Sequence, residues 1–226
     1  MTPRERFFAA VEGRPVDHVP VTTWVHFLSD HLPGEETASL HERFLKSYAW
    51  DLAKVMGDYR YPVPAALRSL DDAALLDQFE VVGLDAPCFA EQLKCLKALR
   101  AAMGPDFPLV ETGFDPYQSI LRNIGRDQEA NLWKYRAPTL RALERACESI
   151  RAYVRAIKKL GVEGYFYSVN SAIPAGFPRG ASQAMYETFL RPFDLRILKE
   201  AEGMVRILHV HGTGLTWRGS RTTPAK

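Results

Sequence analysis

Two histidines, His209 and His211, lie at the end of a short apolar segment, residues 205–212. A short apolar run that ends abruptly in polar residues and glycine is typical of a buried strand with a functional end. Because side chains alternate along a strand, both imidazoles are expected on one face, together with Ile207. Such a pair can bind a metal, transfer protons or hold an anion, and it can also be purely structural. We interpret the segment as the wall of an active site.

Composition excludes several classes of protein. The 226 residues and a hydrophobic content of 46% suit a single domain with a sizeable core. The net charge of +2, with acidic and basic residues interspersed, does not indicate a nucleic-acid partner. No apolar run approaches the ~18 residues of a membrane span, and the charged start lacks a signal-peptide core. The three cysteines form no Cys-x-x-Cys pair, so we expect reduced thiols and a cytoplasmic protein.

Strand and helix patterns alternate along the chain. Short apolar segments predict five strands, and longer segments with helical spacing predict the helices between them. Repeated strand–helix–strand units specify a parallel sheet. Residues 81–84 fit either a short strand or a turn. The predicted strands are residues 19–27, 50–56, 107–114, 162–169 and 205–211, and the main helices are residues 35–48, 89–103, 117–124, 140–160 and 181–201.

Polar residues collect where the predicted strands end, which is the arrangement of active sites in (β/α)8 barrels. We therefore predict an α/β fold of the (β/α)8 TIM-barrel type with only about five of the eight βα units present. An open doubly wound sheet is the alternative, but no Gly-x-Gly-x-x-Gly follows any strand. The residues at the strand ends are Trp24, His26, Asp58, Asp115, Asn170, His209 and His211.

The last part of the chain, residues 213–226, differs from everything before it. It contains no acidic residue and no periodic apolar pattern, and it is rich in Thr, Arg and Gly. We therefore divide the chain into a partial barrel domain, residues 1–212, and an irregular tail, residues 213–226. We expect a chain that ends early, for example through a shifted reading frame. A flexible functional tail is the alternative.

Eight residues are candidates for the site. Carboxylates and imidazoles at strand ends can act as acids, bases or anion holders, so they are predicted to be catalytic. Lys54 lies on the same strand face as Asp58, and it can form a Schiff base or, more commonly, an ion pair with that carboxylate. Asp115 with Pro116 is expected to form a turn. The predicted catalytic residues are Asp58, His26, His209 and His211, and the predicted substrate-binding residues are Trp24, Lys54, Ser168 and Asn170.

Five segments of the chain carry a resemblance to a known family. They are Arg4-Glu5-Arg6 with Gly13-Arg14-Pro15 and Val19-Pro20-Val21; residues 50–56; residues 161–167; the helix positions Phe189, Pro192, Asp194 and Leu198; and Leu208-His209-Val210-His211-Gly212. In this order they resemble the uroporphyrinogen decarboxylase superfamily, over about residues 2–212. We expect this chain to be a divergent member that is truncated at its carboxyl terminus.

The resemblance implies a (β/α)8 barrel and, as the first expectation, a lyase without a cofactor. Decarboxylases of this family remove carboxylates from a tetrapyrrole: arginines bind the substrate carboxylates, and an aspartate stabilises the protonated ring. Asp58 occupies a matching place, but the first strand ends Trp24-Val25-His26-Phe27 without the family's arginines. We therefore expect a small-molecule substrate that is a tetrapyrrole or another carboxylated compound. A homodimer is a further expectation.

The alternative that the resemblance implies is a zinc-dependent methyltransferase that works with a corrinoid (cobalamin) protein. In these relatives a His-x-Cys on the fifth strand supplies two zinc ligands, and a later Cys supplies the third. His209 and His211 retain two nitrogen ligands at that place. Any third ligand would lie beyond residue 212, so we expect no tightly bound zinc in this chain. A third hypothesis is an inactive fragment.

Overall fold

A parallel sheet of four strands forms the centre of the fold. The computed structural model describes residues 1–68, 70–169 and 183–210 of the chain. The strands are hydrogen-bonded neighbours in chain order, and each of the three pairs is parallel. The predicted α/β fold with a parallel sheet is therefore confirmed. The strands are β1 (Ala53–Val55), β2 (Leu109–Phe114), β3 (Gly164–Val169) and β4 (Val205–Val210).

Helices connect the strands, and each predicted helix has a counterpart in the structure. The helix predicted over residues 181–201 is divided in the structure into α7 and α8, and Pro192 lies in the first turn of α8. Residues 81–84 form no strand, and a turn begins at Leu84. Within the described ranges, no helix combines the length and the apolar character that crossing a membrane requires. The helices are α1 (Pro3–Val11), α2 (Gly34–Lys46), α3 (Pro87–Met103), α4 (Pro116–Ile124), α5 (Glu129–Lys134), α6 (Arg136–Lys159), α7 (Gln183–Phe189) and α8 (Arg191–Glu200).

The prediction of a first strand over residues 19–27 is wrong. This segment belongs to neither a helix nor a strand, and it forms no ladder with β1. Pro20 has no N–H to donate, and the neighbouring Val21 N–H donates instead to the side chain of Asp51 at 2.8 Å. The Asp51 N–H donates to the Val21 carbonyl at 2.9 Å, and the Thr22 hydroxyl donates to the Leu52 carbonyl at 2.8 Å. The segment thus lies beside the entrance to β1, held largely by side chains.

One face of the sheet is covered by helices. Val55, Tyr165 and Tyr167 point to this face and are fully buried in a core that α3, α4, α6 and α8 complete. All three cysteines of the chain are free and buried in the same layer. The removal of apolar surface from water on this side is the main stabilising contribution to the fold.

The other face, which we call the inner face, has a smaller apolar cluster near the amino ends of the strands. Phe7 and Phe8 of α1 pack there against Leu52, Val110 and Ile207. Because α1 covers the amino end of the inner face, the carboxyl end is the part that is left for a pocket. This is the end at which barrel proteins of this type carry their reacting groups.

Candidate functional site

A pocket of about 140 Å³ opens on the inner face at the carboxyl ends of the strands. All four strands contribute side chains to it, and the segment 19–27 completes one wall. Five of the eight predicted site residues lie in this inner pocket. Its lining residues are Trp24, His26, Lys54, Met56, Thr112, Phe114, Phe166, Ser168 and His209.

Lys54 of β1 is the one lysine or arginine among these lining residues, and it is only 7% exposed. Its ammonium lies 4.0 Å from the centre of the Phe166 ring and 4.5 Å from that of Trp24. It also donates to the sulfur of Met56 at 3.1 Å. Loss of hydration lowers the pKa of Lys54 to about 8, and the negative charge of Glu111 opposes this shift. The group is therefore still mostly protonated at pH 7, but it loses its proton at a lower pH than an ordinary lysine.

The expected ion pair between Lys54 and Asp58 is wrong. Asp58 instead lies next to His26, with 2.7 Å between Oδ1 and the imidazole Nδ1. The ammonium forms an ion pair with no carboxylate in the part of the chain that the structure describes. Two aromatic faces replace the carboxylate, because an aromatic ring attracts a cation through its quadrupole.

His209 and Ser168 occupy the carboxyl ends of neighbouring strands. They are register partners in the β3–β4 pair, so their side chains share the inner face. The His209 imidazole stacks on Phe166 with 5.3 Å between ring centres and meets the edge of Trp24 at 6.3 Å. Phe166 therefore contacts both Lys54 and His209, and it places two nitrogen groups around one pocket.

The two remaining predicted residues, His211 and Asn170, lie outside the described residues. The expectation that His209 and His211 share one strand face therefore stays a prediction. Within the ranges that the structure describes, no group of three His, Cys, Asp or Glu side chains is arranged to hold a metal ion. The positive charge of Lys54 beside His209 also disfavours a cation there. The described residues thus do not fit a complete zinc site.

A second pocket, with a volume of about 90 Å³, lies at the same end of the strands but on the helix-covered side of the sheet. It was not predicted from the sequence. Glu111 of β2, 1% exposed, forms its floor. Burial raises the pKa of Glu111 to about 7, against hydrogen bonds from Tyr153 and Gln92 and the charge of Lys54. The sequence carries one signal for this pocket: the acidic residue Glu111 lies inside the predicted strand of residues 107–114, directly after Leu109 and Val110. We call it the Glu111 pocket.

Comparisons with known proteins bear on the fold. No family model matches the sequence, and no curated protein matches it significantly. Among solved structures, a methyltransferase from Methanosarcina mazei superposes with a TM-score of 0.68, covering 95% of this chain and 71% of its own. The two sequences are 19% identical. The fold is therefore shared between the two proteins.

These findings define a class by fold and by the position of the site. The chain is a mixed α/β protein with a parallel sheet of the (β/α)8-barrel type, and its described part resembles that methyltransferase in structure. Polar and aromatic side chains line two pockets at the carboxyl ends of the strands, one on each side of the sheet. Thr112 and Phe114 of β2 separate the two pockets, since they line both.

Proposed function

We propose that this chain is a methyl-transferring enzyme whose inner pocket binds a carboxylated small molecule. The fold shared with the methyltransferase from Methanosarcina mazei supports the reaction class. The substrate class rests on one observation, the ammonium of Lys54 held between two aromatic rings without a carboxylate partner among the described residues. A substrate carboxylate would supply the missing charge and would raise the pKa of Lys54 back toward its ordinary value.

The pair of His26 and Asp58 supports a role in moving a proton. A carboxylate at 2.7 Å from Nδ1 favours the tautomer that carries its proton on Nδ1, which leaves Nε2 free to accept one. A nucleophile that receives a methyl group must lose its proton before or during attack. We assign to His26 the role of accepting this proton, and to Asp58 the role of orienting the imidazole.

The methyl donor in this proposal is a corrinoid protein, as the resemblance to the uroporphyrinogen decarboxylase superfamily implies. When bound, the corrinoid supplies an electrophilic methyl group to the nucleophile. Lys54 and His209 hold the acceptor by its carboxylate, and the rings of Trp24 and Phe166 limit the access of water. The described residues do not supply a complete set of zinc ligands, so none of the roles assigned here is given to zinc.

A cofactor-free carboxy-lyase is the second candidate function. The same pairing of Lys54 with His209 suits the carboxylate of a lyase substrate. A substrate with many carboxylates, such as the tetrapyrrole of the family's decarboxylases, needs several cations. The inner pocket offers Lys54 and two histidines, so we place this candidate second.

The test uses methylcobalamin as methyl donor and 3-mercaptopropionate as a carboxylated thiol. The protein is mixed with both, and demethylation of the cobalamin is followed by absorbance, with the methyl thioether product identified by mass spectrometry. We expect transfer above the rate without protein, a loss of at least tenfold in Lys54→Met, and a comparable loss in His26→Gln. Lys94→Met is the matched control, because Lys94 is an exposed lysine that pairs with Glu91 at 2.7 Å.

Two outcomes would contradict the proposal. Transfer that is equally fast in Lys54→Met would show that the ammonium does not hold the acceptor. A wild-type rate no higher than the rate without protein, together with release of carbon dioxide from a carboxylated pyrrole, would favour the lyase instead.

A further inference from the structure

The Glu111 pocket is built from buried polar groups of several elements. The Glu111 carboxyl accepts a hydrogen bond from the Tyr153 hydroxyl of α6 at 2.7 Å and one from the Gln92 amide of α3 at 3.0 Å. Gly113 of β2 is required here, because a Cβ at that position would lie 1.9 Å from the hydroxyl oxygen of Tyr165. The absence of a side chain at Gly113 thus leaves room for the Tyr165 hydroxyl at the pocket.

Two buried polar atoms at this floor lack partners within the described part of the chain. They are Oε1 of Gln92, a residue 2% exposed, and the hydroxyl of Tyr165, which is fully buried. Leaving such a group without a hydrogen bond costs about 1–3 kcal/mol. Both residues line the pocket, so a polar ligand in it can reach them.

Three acceptor sites therefore face one small space. They are the free lone pairs of the Glu111 carboxyl, Oε1 of Gln92 and the oxygen of the Tyr165 hydroxyl. A primary ammonium has three N–H donors and matches that number. Phe89 and Tyr153, stacked with 4.9 Å between ring centres, line the wall and also favour a cation.

Two arginines and one carboxylate, that of Asp58, line the rest of the pocket, so its net charge there is positive. Arg60 and Arg122 both line it, and neither forms an ion pair with any residue that the structure describes. The Arg122 guanidinium lies 4.3 Å from the centre of the Phe114 ring. Loss of hydration and the positive charge of Arg60 lower the pKa of Arg122, while Asp58 opposes this. An anion between the two guanidinium groups would relieve their repulsion.

We propose that the Glu111 pocket binds a small zwitterion, with its ammonium at Glu111, Gln92 and Tyr165 and its carboxylate at Arg60 and Arg122. The pocket volume of about 90 Å³ suits a small molecule of a few heavy atoms. The site lies across the sheet from the inner pocket, so it goes beyond the proposed function and does not depend on it.

Binding at this site is coupled to a proton. On the helix-covered side, Glu111 lies among Gln92 and Cys95 of α3, Tyr153 of α6 and Tyr165 of β3, and the charge of Lys54 acts on it from the other face of the sheet. Its pKa of about 7 leaves it about half protonated at neutral pH. A ligand ammonium favours the ionised carboxyl, so binding at pH 7 releases about half a proton.

The experiment is titration calorimetry of the full chain at pH 7 with glycine, β-alanine and γ-aminobutyrate as probes of increasing length. Acetate and methylamine, which carry one charge each, are the single-charge controls. We expect one zwitterion to bind at least tenfold more tightly than either control. Repeating the titration in buffers of different ionisation enthalpy measures the released proton.

Two variants test the location. Gly57→Ala adds a methyl group that would lie 3.7 Å from Glu111 Oε1 and 3.7 Å from the Gln92 side chain, an ordinary contact, so it narrows the pocket without a clash. Glu111→Gln keeps the shape of the floor and removes the titrating group. We expect both to weaken binding at least tenfold and Glu111→Gln to abolish proton release. Glu42→Gln, on the surface of α2, is the matched control.

The proposal is overturned if none of the three zwitterions binds, which would mean that water fills the pocket. It is equally overturned if acetate binds as tightly as the best zwitterion, or if Gly57→Ala and Glu111→Gln leave the affinity unchanged.

Discussion

The polar groups at the two ends of the sheet differ in how fully they are paired. At the amino end, Glu163 accepts hydrogen bonds from Arg4, from Arg100 at 2.5 Å and from the Leu109 N–H at 2.8 Å. One carboxylate thus connects α1, α3 and the starts of β2 and β3. Every charge in this group has an opposite charge beside it, which is what a purely structural role requires.

A second carboxylate at the same end repeats the pattern. Asp51 accepts from Arg6 at 2.5 Å, from the Val21 N–H at 2.8 Å and approaches His18 Nε2 at 3.2 Å. Arg6 also donates to Asp17 at 2.6 Å and 2.8 Å. The start of the chain, the segment 19–27 and the entrance to β1 are joined through these charges.

The carboxyl end is the opposite case. Lys54 has aromatic rings in place of a carboxylate, and the buried Tyr165 hydroxyl and Gln92 Oε1 have no partner within the described residues. Burial lowers the pKa of Lys54 and raises the pKa of Glu111, so it favours the neutral form of each group. Incomplete pairing costs stability, so the unpaired groups that line the two pockets are candidates for contacts with a ligand.

The largest predicted effect is at the amino end. Glu163→Ala should lower the free energy of unfolding by about 4 kcal/mol, because it leaves two arginines and the buried Leu109 N–H without their acceptor. Urea denaturation at pH 7 measures this. Glu163→Gln, which keeps an acceptor for the Leu109 N–H, should lose about half as much. Equal and small losses in both variants would remove the distinction between the two ends.

Much of the fold was predictable, because apolar periodicity reports burial directly. Four of the five predicted strands and the helices around them are present. Residues 19–27 failed because their apolar residues fit a strand, while the missing N–H of Pro20 and the side chain of Asp51 decide how the backbone bonds. That decision depends on a contact between distant positions, which a local pattern does not contain.

The candidate site was predictable in part and for the same reason. Strand alternation places Ser168 and His209 on one face, and the structure has them there as register partners. The environment of Lys54 was not predictable, since Trp24 and Phe166 come from distant segments. The Glu111 pocket was missed because its groups belong to β2, β3, α3 and α6 and meet only in the folded chain.

The next largest effect concerns pH at the carboxyl end. The folded pKa of Glu111, about 7, is raised above its ordinary value, so the folded state binds more protons than the unfolded state between pH ~4.5 and pH ~7. Stability should therefore fall as pH rises through this window and stay level above it. Relative to Glu111→Gln, the wild type should lose about 3 kcal/mol over that range, measured by urea denaturation at each pH. A constant difference between the two proteins would disprove the assignment.

A smaller effect of opposite sign is expected at Lys54. Its folded pKa, about 8, is lowered, so the buried ammonium destabilises the fold at pH 7 and this cost disappears as pH rises from about 8 toward its ordinary value. Lys54→Met should raise the free energy of unfolding at pH 7 by about 1 kcal/mol, because the lost cation–π contacts offset part of the gain. Thermal melting at pH 7 and pH 10 measures it. A destabilised Lys54→Met would place Lys54 with the structural charges of the amino end.

The smallest stability effects should come from His209 and Asp58, and they sharpen the comparison most. His209→Gln removes a ring that stacks on Phe166, and Asp58→Asn keeps an acceptor for His26, so each should change the free energy of unfolding by less than about 1 kcal/mol. If the carboxyl end is kept for function, both should nevertheless reduce methyl transfer at least tenfold. His209 would lose a contact to the acceptor's carboxylate, and His26 would lose the charge that orients its tautomer. Parallel measurements of melting temperature and initial rate separate the two roles. Variants that melt earlier in proportion to their loss of activity would show that these residues are structural, as Glu163 is.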